Sequence, residues 1–166
     1  GVGTYTLEIL EDLPDVEIII VPVGGGSGAC GTCIVAKALR PTTQVIGVQS
    51  SQAQAVYLSW KEGRIVESGM GTVAEGLATA TGYELTQGIL QELMDDFVLV
   101  DDVELAQSVI LHLELTHNLA EHAGAAPLAA ALNMKDRLKG KKVVLVMSGG
   151  NLTLDQLKEA ILKRRS

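Results

Sequence analysis

Five small residues in a row, Gly24-Gly25-Gly26-Ser27-Gly28, follow directly on the β-branched run Val16-Glu17-Ile18-Ile19-Ile20-Val21-Pro22-Val23. Glycines at such a junction let successive backbone N–H groups turn inward and approach an anion, and a helix opening at Ser27 adds roughly half a positive charge at its mouth. This points to main-chain amides holding a phosphate. A nucleoside-triphosphate loop needs lysine followed by serine or threonine at the helix start; Cys30-Gly31-Thr32 lacks the lysine, so that reading fails. Gly26-Ser27-Gly28-Ala29-Cys30-Gly31 spells G-x-G-x-x-G, a dinucleotide fingerprint, but Gln49 and Ser50 stand where an acid should grip a ribose.

Ser148-Gly149-Gly150-Asn151 is the second segment of interest. A hydroxyl on a glycine-flanked turn can bond one polar atom of a flat cofactor; taken alone, Ser148 equally satisfies its own backbone or caps the following helix. Cys30 and Cys33 spell C-x-x-C without a thioredoxin-like surrounding and read as packing residues. His112, His117 and His122 are five apart, which puts them on different helical faces and argues against a metal cluster. His117 continues the stripe Ala106, Ile110, Leu113 and is expected near the core. Asp95-Asp96 and Asp101-Asp102 are expected to solvate the ends of a strand.

The elements that position these residues alternate. Apolar spacing at Leu7, Ile9, Leu10 and Leu13 predicts a helix over Thr4 to Leu13, closed by Pro14. Then come a strand to Val23, a helix from Ser27 to Leu39, a strand at Val45–Val48 and a helix from Gln52 to Trp60. A glycine-dotted irregular segment runs from Glu62 to Gly82. A helix over Tyr83 to Met94, a strand at Phe97–Val100, a helix over Val103 to Leu119 and an Ala-rich helix after Pro127 follow. Lys135 to Lys142 reads as a polar turn, Val143–Val146 as the last strand and the remainder to about Leu162 as a helix whose negative end suits Lys163, Arg164 and Arg165. Alternation of this kind predicts an α/β fold in three layers, a mainly parallel sheet of about four strands with helices on both faces, in a single domain over residues 1–166. Ligands of such sheets bind beyond the carboxyl ends of the strands, where both glycine segments fall.

Composition narrows the classes. Thirteen Lys and Arg against twenty Asp and Glu give a net charge of −7, which argues against a nucleic-acid surface. No apolar run approaches the roughly 18 residues of a membrane helix and no basic-then-apolar leader opens the chain, so a cytoplasmic protein is expected. Hydrophobic residues are 47% but aromatics only 3%, with a mean hydropathy of +0.27, an apolar content built from Ala, Val, Leu and Ile. Such a chain is expected to carry surface that something else covers, by self-association or by a further segment.

Gly1-Val2-Gly3-Thr4 with Leu7-Glu8-Ile9-Leu10, Val21-Pro22-Val23-Gly24-Gly25-Gly26, Val45-Ile46-Gly47-Val48, Ala74-Glu75-Gly76-Leu77, Glu121-His122-Ala123-Gly124-Ala125 and Ser148-Gly149-Gly150-Asn151 occur in that order. The ordered set resembles the C-terminal half of threonine and serine dehydratases, fold-type II enzymes that use pyridoxal phosphate, from residue 1 to about 162. The resemblance implies that Gly24, Gly25, Gly26, Ser27 and Gly28 hold the cofactor phosphate, that Ser148 faces the pyridine nitrogen, that Gly76 lies near the ring and that Glu121 sits in the same pocket. On position alone, Glu121 is a carboxylate favoured at the start of a helix.

Two departures qualify that expectation. The family's Schiff-base lysine lies in a Ser-Phe-Lys-x-Arg-Gly-like segment of the first half, and no lysine here has such a neighbourhood. The chain is therefore expected to cradle pyridoxal phosphate weakly and without turnover, its missing N-terminal half supplying the lysine and the amino-acid carboxylate site. The acids of a divalent-cation site present in some members are replaced by Gln49 and Ala53-Gln54-Ala55, so no metal is expected. The alternatives are a dinucleotide-binding Rossmann-like module and a non-catalytic remnant or interaction domain.

Overall fold

The computed structural model describes residues 1–163. Four strands, β1 (Ile18–Pro22), β2 (Gln44–Ser50), β3 (Asp96–Val100) and β4 (Val143–Leu145), form one sheet in the order β3-β2-β1-β4. Every pairing is parallel: Ile20 lies opposite Ile46 on one side and Leu145 on the other, and Val48 lies opposite Val98. The helices among the described residues are α1 (Thr4–Asp12), α2 (Ser27–Leu39), α3 (Ala55–Glu62), α4 (Glu84–Leu93), α5 (Asp102–Thr116), α6 (His122–Asn133), α7 (Lys135–Leu138) and α8 (Leu154–Lys163), with a 3-10 turn at Glu75–Leu77.

Strand side chains alternate between two covered faces, which is why β1 reads as an unbroken apolar run. Ile18, Ile20, Ile46 and Val48 pack on Leu105 of α5 and on Ala123, Ala126, Ala129 and Ala130 of α6. Val21, Val45 and Phe97 face the other way, onto Ala29, Cys30, Cys33 and Ala36 of α2, Val56 of α3 and Leu90 of α4. Leu10 of α1 extends that layer over Ile19. Alanine is what the tight α6 interface requires, since a small side chain lets a helix axis approach the sheet closely. Ala160 of α8 packs behind α5 and α6 with Ala106, Val109 and Ala125.

Several expectations are corrected. The Ala-rich helix begins at His122, five residues before Pro127, which sits inside it; its ring removes one amide donor, but buried residues from His122 to Ala130 hold the turn. Within the polar stretch 135–142, α7 forms a short helix. The helix expected from Gln52 opens at Ala55, because the Ser50 hydroxyl accepts from the Gln52 amide and holds a turn there. His117 is not near the core: α5 ends at Thr116, and His117 is exposed in a left-handed conformation, φ 56°, that terminates the helix. The acids at the ends of β3 are bonded rather than merely solvated. Asp95 accepts from Lys37 Nζ and the Val45 amide, both at 2.6 Å, Asp96 pairs with Arg137, and Asp101 caps α5 reciprocally with Glu104. Asp102 accepts from the Thr72 hydroxyl and the Val73 amide, pinning the segment before the 3-10 turn to α5. Lys163 stands in the last turn of α8; Arg164 and Arg165 lie outside the described residues. No described helix is long and apolar enough to cross a membrane.

Candidate functional site

Chain order runs from β1 outward through β2 to β3 and then returns to β4 on the other side of β1, so the order of strand addition switches sides between β1 and β4. Helices feeding such a junction diverge to opposite faces, and the crevice they leave beyond the strand ends is where open α/β sheets bind ligands. A cleft of about 760 Å³ lies there. Its floor is Val21 and Pro22 from β1 with Val144 and Leu145 from β4; Gly24 to Gly28 form one wall, Ser148 another, and Gly76 and Glu121 close the side. All eight residues singled out in the sequence line this one cleft, brought from four separate stretches of chain.

Close backbone approaches shape the glycine wall. A β-carbon on Gly24 would overlap the carbonyl oxygen of Gly76, and one on Gly76 would lie 2.8 Å from the Ala123 β-carbon. These two glycines let the loop after β1 touch the 3-10 turn, which in turn touches α6. Gly26, the residue before α2, has φ 95°, where a side chain is both strained and crowded: its β-carbon would lie 3.1 Å from Thr86 and 3.3 Å from Leu90. The Thr86 hydroxyl donates to the Gly25 carbonyl at 2.9 Å, fixing the loop to α4. With no side chain capping α2, the amides of Ser27, Gly28 and Ala29 precede the first helical bond, which Cys30 donates to Gly26 at 2.8 Å. Among the described residues no lysine or arginine lines the cleft, so the donors this wall offers an anion are main-chain amides.

The opposite wall is positioned by further glycines. A β-carbon on Gly124 would overlap the Gly149 carbonyl, one on Gly150 the Leu119 carbonyl, and one on Gly149 the Glu121 carboxylate. The turn after β4 therefore lies directly on the start of α6, and the Glu121 amide donates to Gly149 at 3.1 Å. Ser148 is thereby held at the cleft with its side chain exposed. Glu121 precedes α6 without capping it, so its carboxylate borders the cleft instead of serving the helix.

Residues set aside in the sequence fall elsewhere. Cys30 and Cys33 are buried on the core-facing side of α2, where burial pushes their thiols up to about 11 and about 12. Gln49 is buried and committed: its Oε1 accepts from the Tyr57 amide at 3.0 Å, and its Nε2 donates to Leu77 O and Thr79 Oγ1. It offers nothing to a ribose. Among the described residues no group of three or more His, Cys, Asp or Glu is placed to hold a metal ion. Tyr5 of α1 and Thr86 of α4 were missed; their bonds reach Gly28 and Gly25, 23 and 61 residues away, and no local pattern announces them.

Pyridoxal phosphate fits this donor set, in that the amides of Ser27, Gly28 and Ala29 stand at the mouth of α2 beside the cleft, with a hydroxyl on the other wall. The chain belongs to the pyridoxal-phosphate dependent enzyme family, whose model matches residues 1–149. It is 40% identical over 164 residues to the L-threonine ammonia-lyase of Thermotoga maritima, covering 98% of this chain and 41% of that protein. It is 38% identical to the catabolic L-threonine dehydratase TdcB of Escherichia coli, over 96% of this chain and 49% of the relative. The processed form of threonine deaminase isoform 2 from Solanum lycopersicum superposes with a TM-score of 0.92 at 32% identity, over 98% of this chain and 48% of that structure. The chain thus spans about half the length of these relatives.

Proposed function

We propose that this chain is the cofactor-cradling C-terminal portion of a threonine or serine dehydratase, an ammonia-lyase that converts a hydroxy amino acid to a 2-oxo acid and ammonia. The observation that carries this reading is the convergence of the Gly24–Gly28 amides and the Ser148 hydroxyl beyond the ends of β1 and β4, where the strand order switches sides. Gly24, Gly25, Gly26, Ser27 and Gly28 hold the phosphate, Gly76 leaves room for the ring, and Glu121 borders it. Ser148 offers the pyridine nitrogen a neutral hydroxyl, which, unlike a carboxylate, does not hold that nitrogen protonated. When bound, pyridoxal phosphate supplies an electron sink for the α-carbon of an amino acid. A tempered sink suits elimination of a β-hydroxyl better than prolonged carbanion chemistry.

The Schiff-base lysine and the amino-acid carboxylate site belong, in this reading, to an N-terminal portion outside these residues, so the chain alone binds cofactor weakly and turns nothing over. It is then a fragment or one chain of a split enzyme, whose covering segment or self-association buries leucines such as Leu85 and Leu115, 78% and 73% exposed. Two free buried thiols accord with a reducing, cytoplasmic setting. The dinucleotide alternative loses its ribose ligand to the commitments of Gln49.

Co-expression with the portion of Thermotoga maritima L-threonine ammonia-lyase to which this chain does not align tests the proposal. The expected result is a cofactor absorbance band together with ammonia release from L-threonine or L-serine. A stable complex that takes up pyridoxal phosphate but releases no ammonia, forming D-serine instead, overturns the dehydratase assignment; saturable binding of NAD in place of pyridoxal phosphate overturns the cofactor.

A further inference from the structure

The start of α2 carries two glycines in its first five residues, Gly28 and Gly31, and no capping side chain, so by its own sequence it is a loose helix terminus. Three hydroxyls from outside the glycine loop converge on it. The Tyr5 hydroxyl donates to the Gly28 carbonyl at 2.9 Å and lies 2.5 Å from Thr32 Oγ1; the Thr6 hydroxyl donates to Thr32 Oγ1 at 3.3 Å. The Thr32 hydroxyl also lies 3.1 Å from the Gly28 carbonyl, so the set closes on that oxygen whichever of Tyr5 and Thr32 donates to the other. A β-carbon on Gly28 would lie 3.6 Å from the Tyr5 oxygen, an ordinary contact. Gly31 lets the helices close, since a β-carbon on it would lie 2.9 Å from the Gly3 nitrogen. Burial raises the Tyr5 phenol above its ordinary value, so it remains a donor across the working pH range.

We infer that Tyr5 is a positioning residue for the phosphate cradle: through the Gly28 carbonyl it locks the first turn of α2 and so presets the amides of Ser27 and Gly28. The inference rests on the reading that these amides hold the cofactor phosphate. Preorganised donors bind more tightly because no ordering cost remains to be met on binding.

The test compares Tyr5→Phe, Thr32→Val and the double variant in the 166-residue chain, with Thr43→Val as control. Thr43 loses a buried hydroxyl bond of the same kind, to Val16, at the opposite ends of the strands. Hydrogen exchange at the Cys30 and Gly31 amides and titration with pyridoxal phosphate are read side by side. Each single variant is expected to speed exchange about tenfold and to weaken binding about tenfold, the scale of one buried hydrogen bond. The double variant adds little, as members of one network do. Thr43→Val lowers the melting temperature and moves neither. Unchanged exchange in both Tyr5→Phe and Thr32→Val, or equal changes in Thr43→Val, overturns the inference. If exchange rises as expected but the unaltered chain binds no pyridoxal phosphate, the positioning role stands and the phosphate reading is what falls.

Discussion

The carbonyl oxygen of Gly76 occupies the space that a β-carbon on Gly24 would fill, so the loop after β1 and the 3-10 turn meet backbone to backbone. Neither side can yield without moving a main chain. Gly24→Ala is therefore expected to destabilise the chain by about 3 kcal/mol, at the upper end for overpacking, and to weaken pyridoxal phosphate binding by more than about tenfold. Denaturant unfolding and a fluorescence titration measure the two effects.

Gly26 and Gly63 separate strain from crowding. Both have positive φ, 95° and 69°, but a β-carbon on Gly63 meets nothing within 4 Å, whereas one on Gly26 meets Thr86 and Leu90. Gly63→Ala is expected to cost about 1 kcal/mol, the backbone penalty alone. Gly26→Ala costs roughly 2 to 3 kcal/mol, because the crowding adds to it. Equal costs in parallel urea melts would show that α4 gives way freely.

The loop after β1 was legible in the sequence because its signal is local: a β-branched run, five small residues and a helix fall within about two dozen positions. The alternation of strands and helices was legible for the same reason, and the helix over Ser27–Leu39 has the bounds its periodicity predicts. What escaped depends on distant partners. His117 sits on an apolar stripe, yet a left-handed turn at that residue ends α5 and carries it to solvent. Pro127 marks a helix start in isolated sequence but lies mid-helix, since tertiary burial of the alanines before it outweighs one lost amide. Tyr5 and Thr86 act through single carbonyls far along the chain.

Gly124 and Gly149 offer a second contrast on the other wall. A β-carbon on Gly124 strikes the Gly149 main chain, whereas one on Gly149 strikes only the mobile end of Glu121. Gly124→Ala is expected to cost about 2 to 3 kcal/mol. Gly149→Ala is expected to cost under about 1 kcal/mol, with the carboxylate swinging aside. If Glu121 borders the cofactor as proposed, Gly149→Ala nevertheless weakens pyridoxal phosphate binding, and a titration alongside the melts distinguishes the two effects.

Burial lowers the His122 imidazole below its ordinary 6.5, with Asp102 opposing the shift and Lys163 adding to it. His112 is lowered by burial as well. A histidine that resists protonation when folded leaves the unfolded chain binding more protons, so stability present above pH 6.5 is lost as pH falls through that value toward the folded pKa. Asp15, lowered by Lys142, titrates at more acidic pH and leaves this window clear. Unfolding free energy measured from pH 8 to pH 5 is expected to decline below about pH 6.5. His122→Gln should flatten that decline.

With thiols raised to about 11 and about 12, Cys30 and Cys33 expose about one thiolate in a thousand or fewer at pH 8. A disulfide-exchange reagent is expected to label the native chain at least about a hundredfold more slowly than free cysteine, and both residues promptly in denaturant. Fast native labelling would revive the redox reading of the C-x-x-C pair.

Because β4 adds to the sheet beside β1, a hydrogen bond such as Lys142 N to Glu17 Oε2 spans 125 residues. Translation at roughly 5 to 20 residues per second leaves on the order of ten seconds between emergence of Gly24 and emergence of Ser148. Throughout that interval the nascent polypeptide lacks one wall of the cleft, and β1 waits with one edge unpaired. If the cleft holds the cofactor as proposed, loading follows the pairing of β4 with β1.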